Sequence, residues 1–167
     1  FGQLQSRHSY AALYTTLGCP FRCSFCCIQA PFKRGEQALN YRDTLNSYRY
    51  WSPQAILTQI DLLVTRYGVR NIKFADEMFV LNRKHVLAIC QGLIERNYDL
   101  NIWAYARVDT VRHEYIDLFK RAGINWLALG IEAGNQTVRQ EVSKGSFQEV
   151  NIRAVCDKVR AEGMNII

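Results

Sequence analysis

Several absences bound this chain before any motif is considered. No stretch approaches the roughly eighteen consecutive apolar residues that a membrane-crossing helix needs, so nothing in it reads as a span. No second cysteine pair stands at zinc-site spacing, and the three histidines, His8, His85 and His113, are scattered. Basic charge is nowhere concentrated: the net charge is +6, yet only Lys33, Arg34, Arg42 and Arg49 gather in one loop. Such dispersal suits a solvated surface with a few anion contacts better than a nucleic-acid groove, so nucleic acid is not an expected partner. Six cysteines in such a chain are expected as free thiols in a reducing, cytoplasmic compartment.

What is present is a globular composition, 49% hydrophobic and 22% charged over 167 residues. That length supports one core and not two comfortable domains. Short apolar strands alternate with amphipathic helices, which predicts parallel βα units. The strands are expected at Tyr10–Leu17, Ile72–Ala75, Asn101–Tyr105 and Trp126–Gly130, with a fifth opening at Met164. Ser52-Pro53 should cap and open a helix with its apolar stripe on Ile56, Ile60, Leu63, Val64 and Tyr67, closed by Gly68. Asn82 should cap a second helix that buries Val86, Ile89, Cys90 and Leu93, and a third should bury Tyr115, Leu118, Phe119 and Ala122. A short turn near Asn135 and a longer helix from Phe147 to Ala161 complete the series. Three helices end in glycine with asparagine two or three residues later, at Gly68/Asn71, Gly123/Asn125 and Gly163/Asn165. One helix-to-strand junction is being built repeatedly. Right-handed crossovers then give an α/β fold, a partial barrel of parallel strands broken off in the fifth. Residues 1–167 are expected to be the N-terminal part of such a barrel within a longer polypeptide.

The densest chemical signal follows the first strand. Cys19, Cys23 and Cys26 stand at C-x3-C-x2-C spacing, with Cys27 adjacent. Three thiolates on one tight loop can hold three irons of a cubane iron–sulfur cluster and leave the fourth open. A structural zinc module is the competing reading, with Cys27 completing four thiolates, although neighbouring residues seldom both point inward. Cys90 and Cys156 fall within helices and suit packing.

This loop resembles that of the radical S-adenosylmethionine (radical SAM) superfamily, whose signature is C-x3-C-x-aromatic-C with Phe25 as the aromatic. The resemblance implies a 4Fe–4S cluster on Cys19, Cys23 and Cys26. S-adenosylmethionine would chelate the fourth iron and be cleaved reductively to a 5′-deoxyadenosyl radical that takes hydrogen from substrate. It places Phe25 beside the adenine, and it implies a flavodoxin or ferredoxin as electron donor. A complete core of that superfamily has six βα units, of which four and the start of a fifth are here.

In parallel α/β folds the functional face lies at the C-terminal strand ends. Asp76 and Glu77 follow the second expected strand, Arg107 and Asp109 the third, and Gly130, Glu132 and Gly134 the fourth. Each acidic residue taken singly also fits a helix cap or a solvated loop. Toward S-adenosylmethionine, Asp76, Glu77 and Glu132 suit the amino group or ribose hydroxyls, and Arg107 suits the carboxylate through a two-pronged bond. Gly130 would let backbone approach the ligand. Ala75-Asp76-Glu77-Met78 stands where the superfamily has a Gly-Gly-Glu-Pro-like segment, without its glycines and proline. Tyr48-Arg-Tyr-Trp-Ser-Pro53 and Phe74-Ala-Asp-Glu-Met-Phe79 resemble the cobalamin-associated branch, including the anaerobic magnesium-protoporphyrin ester cyclase type. Any cobalamin would be held by sequence outside this chain. An RNA-modifying methylthiotransferase is the alternative within the superfamily.

Overall fold

The structure, a computed structural model, describes residues 9–28, 38–40 and 48–167. His8, Lys33, Arg34 and Arg42 lie outside the described residues. In chain order the elements are β1 (Tyr10–Leu13), β2 (Thr16–Leu17), β3 (Arg49–Tyr50), α1 (Pro53–Tyr67), β4 (Asn71–Phe74) and α2 (Arg83–Arg96). They continue with β5 (Asn101–Arg107), a single 3-10 turn (Val108–Thr110), α3 (His113–Arg121), β6 (Ile124–Gly130), α4 (Gln136–Val142), α5 (Ile152–Ala161) and β7 (Asn165–Ile166).

Five strands form one parallel sheet in the order β1-β4-β5-β6-β7, as the βα alternation predicts. Its two faces are chemically distinct because side chains alternate along each strand. Ile72, Phe74, Ile102, Ala104, Leu127 and Leu129 point to the helical side and are buried. They meet Ile56, Ile60 and Val64 of α1, Val86, Ile89 and Leu93 of α2, and Tyr115, Ile116 and Phe119 of α3. Each such side chain contributes on the order of 2 kcal/mol by leaving water. Helices α1 and α2 approach closely at Gly92, where an added Cβ would stand 2.3 Å from Leu57 Cδ1. The opposite, concave face carries Tyr10, Asn71, Lys73, Asn101, Trp103, Tyr105 and Trp126, all partly exposed.

The caps expected at Ser52 and Asn82 are present, and Asn135 and Asn151 supply two more. Ser52 accepts from the Ala55 N–H, Asn82 from His85, Asn135 from Val138 and Asn151 from Ala154. Gly68 closes α1 in the left-handed region at φ 63°.

Two expected elements differ from those observed. The first strand does not run unbroken to Leu17. It stops at Leu13, and Thr16–Leu17 turns away to pair antiparallel with Arg49–Tyr50. The cause is Asp76, whose carboxylate takes the N–H groups of Thr15 and Thr16, at 2.6 and 3.1 Å, out of the sheet. The last long helix begins at Ile152, not Phe147. The segment before it is not helical, and it buries Phe147 beside the guanidinium groups of Arg107 and Arg139.

Candidate functional site

The cysteine loop is tied down at two points and closed by a turn of its own. Gly18, at φ 82°, presents its N–H to Glu77 Oε2 at 3.1 Å. The Ser24 N–H donates to the Val142 carbonyl at the end of α4, at 2.7 Å. Cys26 N–H donates back to the Cys23 carbonyl at 3.1 Å, forming the tight turn. Cys19 is buried, Cys23 half-buried and Cys26 exposed. Burial pushes the Cys19 thiol up to about 11, with the Phe21 N–H lowering it and Cys23 and Cys26 raising it further. Burial also raises Cys23, against the lowering charge and hydrogen bond of Arg107. Ligation of iron by these sulfurs must therefore release protons.

Among the described residues no three cysteine, histidine or acidic side chains converge on a point one metal ion could occupy. A tetrahedral zinc site requires such convergence, with sulfurs about 2.3 Å from one ion. A cubane cluster takes each cysteine sulfur on a different iron.

Arg107 couples the loop to the strand ends. Its guanidinium grips Asp109 with two prongs, at 2.6 and 2.8 Å, and also donates to the carbonyl and hydroxyl of Ser146. It stacks over Phe21 of the cysteine loop at 3.6 Å from the ring centroid. The two-pronged bond expected for a ligand carboxylate is thus made inside the chain.

Next to it, at the C-terminal strand ends, lies a cavity of about 310 Å³ bordered by Glu77, Met78, Tyr105, Arg107, Gly130, Glu132 and Ile167. Glu132 sits at φ 68°, unusual for a residue with a side chain, and its carboxyl folds back over Gly130. A Cβ on Gly130 would stand 2.7 Å from Glu132 Oε1, so glycine there makes room for the acid. Burial raises the Glu132 carboxyl above its ordinary range, and Arg107 opposes that rise.

The structure therefore brings Glu77, Arg107, Gly130 and Glu132 to one cavity beside the three cysteines. It does not bring Asp76 there: both its oxygens are taken by Thr15 and Thr16. Phe25 stands 61% exposed and is not among the residues that line the cavity. Tyr105, Met78, Phe21 and Ile167 are additions. Tyr105 follows from the alternation that puts 103, 105 and 107 on one face, whereas Phe21 carries no sequence signal beyond its nearness to the cysteines. Tyr50 and Trp51 line a separate hollow of about 280 Å³ with Leu17 and Arg49. Tyr48 donates to the Met78 carbonyl at 3.2 Å.

Residues 13–166 match the radical SAM superfamily. The chain belongs to the radical SAM superfamily. Within it, the chain is 34% identical over 140 residues to the anaerobic magnesium-protoporphyrin IX monomethyl ester cyclase of Rubrivivax gelatinosus, covering 83% of this chain and 23% of that protein. Among solved structures it superposes on the radical S-adenosylmethionine methyltransferase TsrM from Kitasatospora setae with a TM-score of 0.73. The identity is 16%, over 98% of this chain and 30% of that one. It also superposes on the cobalamin-dependent S-adenosylmethionine radical enzyme OxsB with a TM-score of 0.68 and 26% identity, over 93% of this chain and 22% of that one. The chain spans less than a third of the length of the curated relatives it matches. Among the described residues no helix is long and apolar enough to cross a membrane.

Proposed function

We propose that this radical SAM chain is the cofactor-binding part of an enzyme of the cobalamin-associated branch. Cys19, Cys23 and Cys26 would hold a 4Fe–4S cluster, and the cavity beside them would hold S-adenosylmethionine. When bound, the cluster supplies the electron that cleaves the sulfonium to a 5′-deoxyadenosyl radical. This chain's residues do the remaining work. Glu77 and Glu132 offer carboxylates to the cofactor's amino group and ribose, Gly130 keeps room for Glu132, and Arg107 lowers the charge cost of thiolate at Cys23. Phe25 would turn toward the adenine only on cofactor binding, since it now faces solvent. Asp76 acts by holding the start of the cysteine loop.

The observation that carries this reading is the shared wall. Arg107 borders the cavity, stacks on Phe21 of the cysteine loop and lowers the Cys23 thiol by its charge, so ligand and thiols meet across one side chain. The relatives, a cyclase and cobalamin-dependent enzymes, support methyl transfer or ring formation as the reaction type, with cobalamin bound by sequence beyond this chain. A flavodoxin or ferredoxin would deliver the electron, in the reducing cytoplasm.

Anaerobic reconstitution with iron and sulfide should load about four irons per chain, and S-adenosylmethionine should perturb the cluster spectrum. Cys23→Ala should lose both signals. A preparation that carries one tightly bound zinc and no labile sulfide would instead make the chain a structural module.

A further inference from the structure

Phe147 lies between two buried guanidinium groups, and only one of them is neutralised. Arg107 stands 4.9 Å from its ring centroid and Arg139 5.2 Å. Arg107 is 3% exposed and grips Asp109 with both prongs. Arg139 is 9% exposed, yet among the described residues no carboxylate lies within 4 Å of it. Its hydrogen bond runs from Nη1 to the Ala133 carbonyl at 2.5 Å. A guanidinium carries five N–H donors, so most of them have no acceptor among the described residues. A charge nearly withdrawn from water is costly unless it is paired, and this one meets a neutral carbonyl and a ring face.

Arg139 also borders a hollow of about 80 Å³, formed by α4 and the segment from Phe147 to Val150. One water needs about 10–15 Å³, so the hollow takes a group of several heavy atoms. Gln136 borders it from α4, three residues before Arg139, and Gln148 borders it from the other segment. Both are exposed, and neither side-chain amide is hydrogen-bonded among the described residues. The third amide, Gln140, is engaged, since it donates to the Phe147 carbonyl at 2.6 Å. Donors from two elements, one of them charged, suit an anion whose oxygens point in several directions better than a flat carboxylate. Glu149 is the single acid bordering the hollow, and its charge limits the affinity.

The hollow shares no residue with the cofactor cavity. It is tied to the cysteine loop all the same. Val142, three residues after Arg139 on α4, holds the Ser24 N–H, and beyond Phe147 the Arg107 guanidinium stacks on Phe21.

We propose that this hollow is a phosphate site, separate from the cofactor cavity, in which Arg139 supplies the charge and Gln136 and Gln148 the flanking donors. The ligand is inorganic phosphate or the phosphoryl head of an ester. It gives Arg139 the counter-charge that Asp109 gives Arg107, and it holds α4, which supports the cysteine loop, against the segment after it. The site stands independently of the function proposed above.

Calorimetric titration of the reconstituted chain with inorganic phosphate, ribose 5-phosphate and acetate, at constant ionic strength, tests the assignment. One phosphate should bind per chain, and acetate about tenfold more weakly. Arg139→Gln should weaken phosphate by about tenfold or more, the difference a charged hydrogen bond makes. Gln148→Ala leaves the backbone N–H of that residue on Asp109 and should weaken phosphate about threefold. Glu149→Gln should tighten it about threefold. No saturable phosphate binding, or binding unchanged by Arg139→Gln, overturns the proposal. Should Arg139→Gln fail to fold, the two exposed variants decide, and an affinity moved by neither overturns it. Acetate bound as tightly as phosphate overturns the tetrahedral assignment. Ribose 5-phosphate bound more tightly than phosphate makes the ligand an ester, and the reverse makes it the free anion; both uphold the site. Saturating S-adenosylmethionine should leave phosphate binding unchanged, whereas displacement would put the phosphate in the cofactor cavity and overturn the separate site. Metal-free chain should give the same phosphate affinity, so a protein that never loads iron still decides the question.

Discussion

The hydroxyl of Thr15 donates to Asp76 Oδ2 at 2.5 Å and meets His85 Nε2 at 3.1 Å on its other side. A hydroxyl has one proton, and here it goes to the carboxylate, so His85 must supply the second bond from Nε2–H. Burial disfavours the charged ring, which leaves a neutral imidazole with Nδ1 as a bare acceptor, and Nδ1 is buried without a partner among the described residues. All three side chains are at most 2% exposed. The buried chain Asp76–Thr15–His85 is what turns the polypeptide out of β1 toward the cysteines.

Removing the carboxylate should therefore cost more than a surface acid would. Asp76→Ala leaves two backbone N–H groups and a hydroxyl unpaired in the interior, and about 2–4 kcal/mol of stability should be lost. Asp76→Asn keeps one acceptor for the Thr15 and Thr16 N–H groups and should cost about 1–2 kcal/mol. Urea midpoints of the three proteins check the order. If alanine and asparagine were equally mild, the turn would not depend on this carboxylate.

The same chain gives stability a pH dependence with opposite signs in two windows. Burial lowers the His85 pKa from 6.5, so below pH 6.5 the unfolded chain takes a proton that the folded one refuses. Stability from this residue is full above pH 6.5 and falls as pH drops from there to the lower folded value. Burial raises the Asp76 pKa from 3.8, so in the window just above 3.8 the folded state holds the extra proton and stability falls as pH rises. Between about pH 5 and 7 a His85→Gln protein should show a flatter urea midpoint than the unaltered protein. An unchanged slope would place the acid sensitivity elsewhere.

How much of this was legible in sequence depends on the distance over which each contact acts. Caps such as Ser52 and Asn82 act within three residues and could be placed from the sequence. The parallel sheet followed from alternation alone, and so did the rim that carries Glu77, Arg107 and Glu132. The break at Tyr14 could not be seen, because it comes from Asp76, sixty-one residues beyond Thr15. Arg107 looked available for a ligand until Asp109 and Ser146 were found to occupy it, the latter thirty-nine residues away. The Gly/Asn junctions proved to be a local signal of a long-range feature. Asn71, Asn101, Asn125 and Asn165 form a ladder across the bottom of four strands, amide to amide and amide to carbonyl, with spacings of 3.0–3.4 Å.

Two of those junction glycines should respond differently to alanine. At Gly68 the φ is 63° and an added Cβ meets nothing within 4 Å, so only the left-handed backbone is penalised, about 1 kcal/mol. At Gly123 the φ is 85° and the Cβ would stand 2.7 Å from the backbone carbonyl of Leu100, which cannot swing aside. Gly123→Ala should cost roughly 2–4 kcal/mol in thermal or urea unfolding. Equal losses at the two positions would show that the strand entry at Ile124 yields more than its hydrogen bonding suggests.

Arg107 and Asp109 are 3% and 1% exposed, a pair removed from water. Arg107→Met abandons a buried carboxylate and should destabilise the chain by about 3–5 kcal/mol. Adding Asp109→Leu to that variant should restore part of the loss, since the orphaned charge goes too. Arg107→Lys keeps the charge but not the fork, and it should also reduce iron loading, because the stack on Phe21 orders the cysteine loop. Iron and sulfide per chain, read beside the unfolding midpoint, separate the two effects.

The six thiols should sort themselves by chemistry in metal-free protein. Burial holds Cys90 at about 12 and Cys19 at about 11, whereas Cys26 and Cys27 face solvent. A thiol near 11 is only about one part in a thousand thiolate at pH 8, and the thiolate is the species that alkylates. Iodoacetamide followed by peptide mass mapping should label Cys26 and Cys27 first, Cys19 far more slowly and Cys90 last. Loading iron and sulfide should then protect Cys19, Cys23 and Cys26 while leaving Cys27 reactive. Protection of Cys27 with loss of protection at Cys26 would move the third sulfur ligand by one residue.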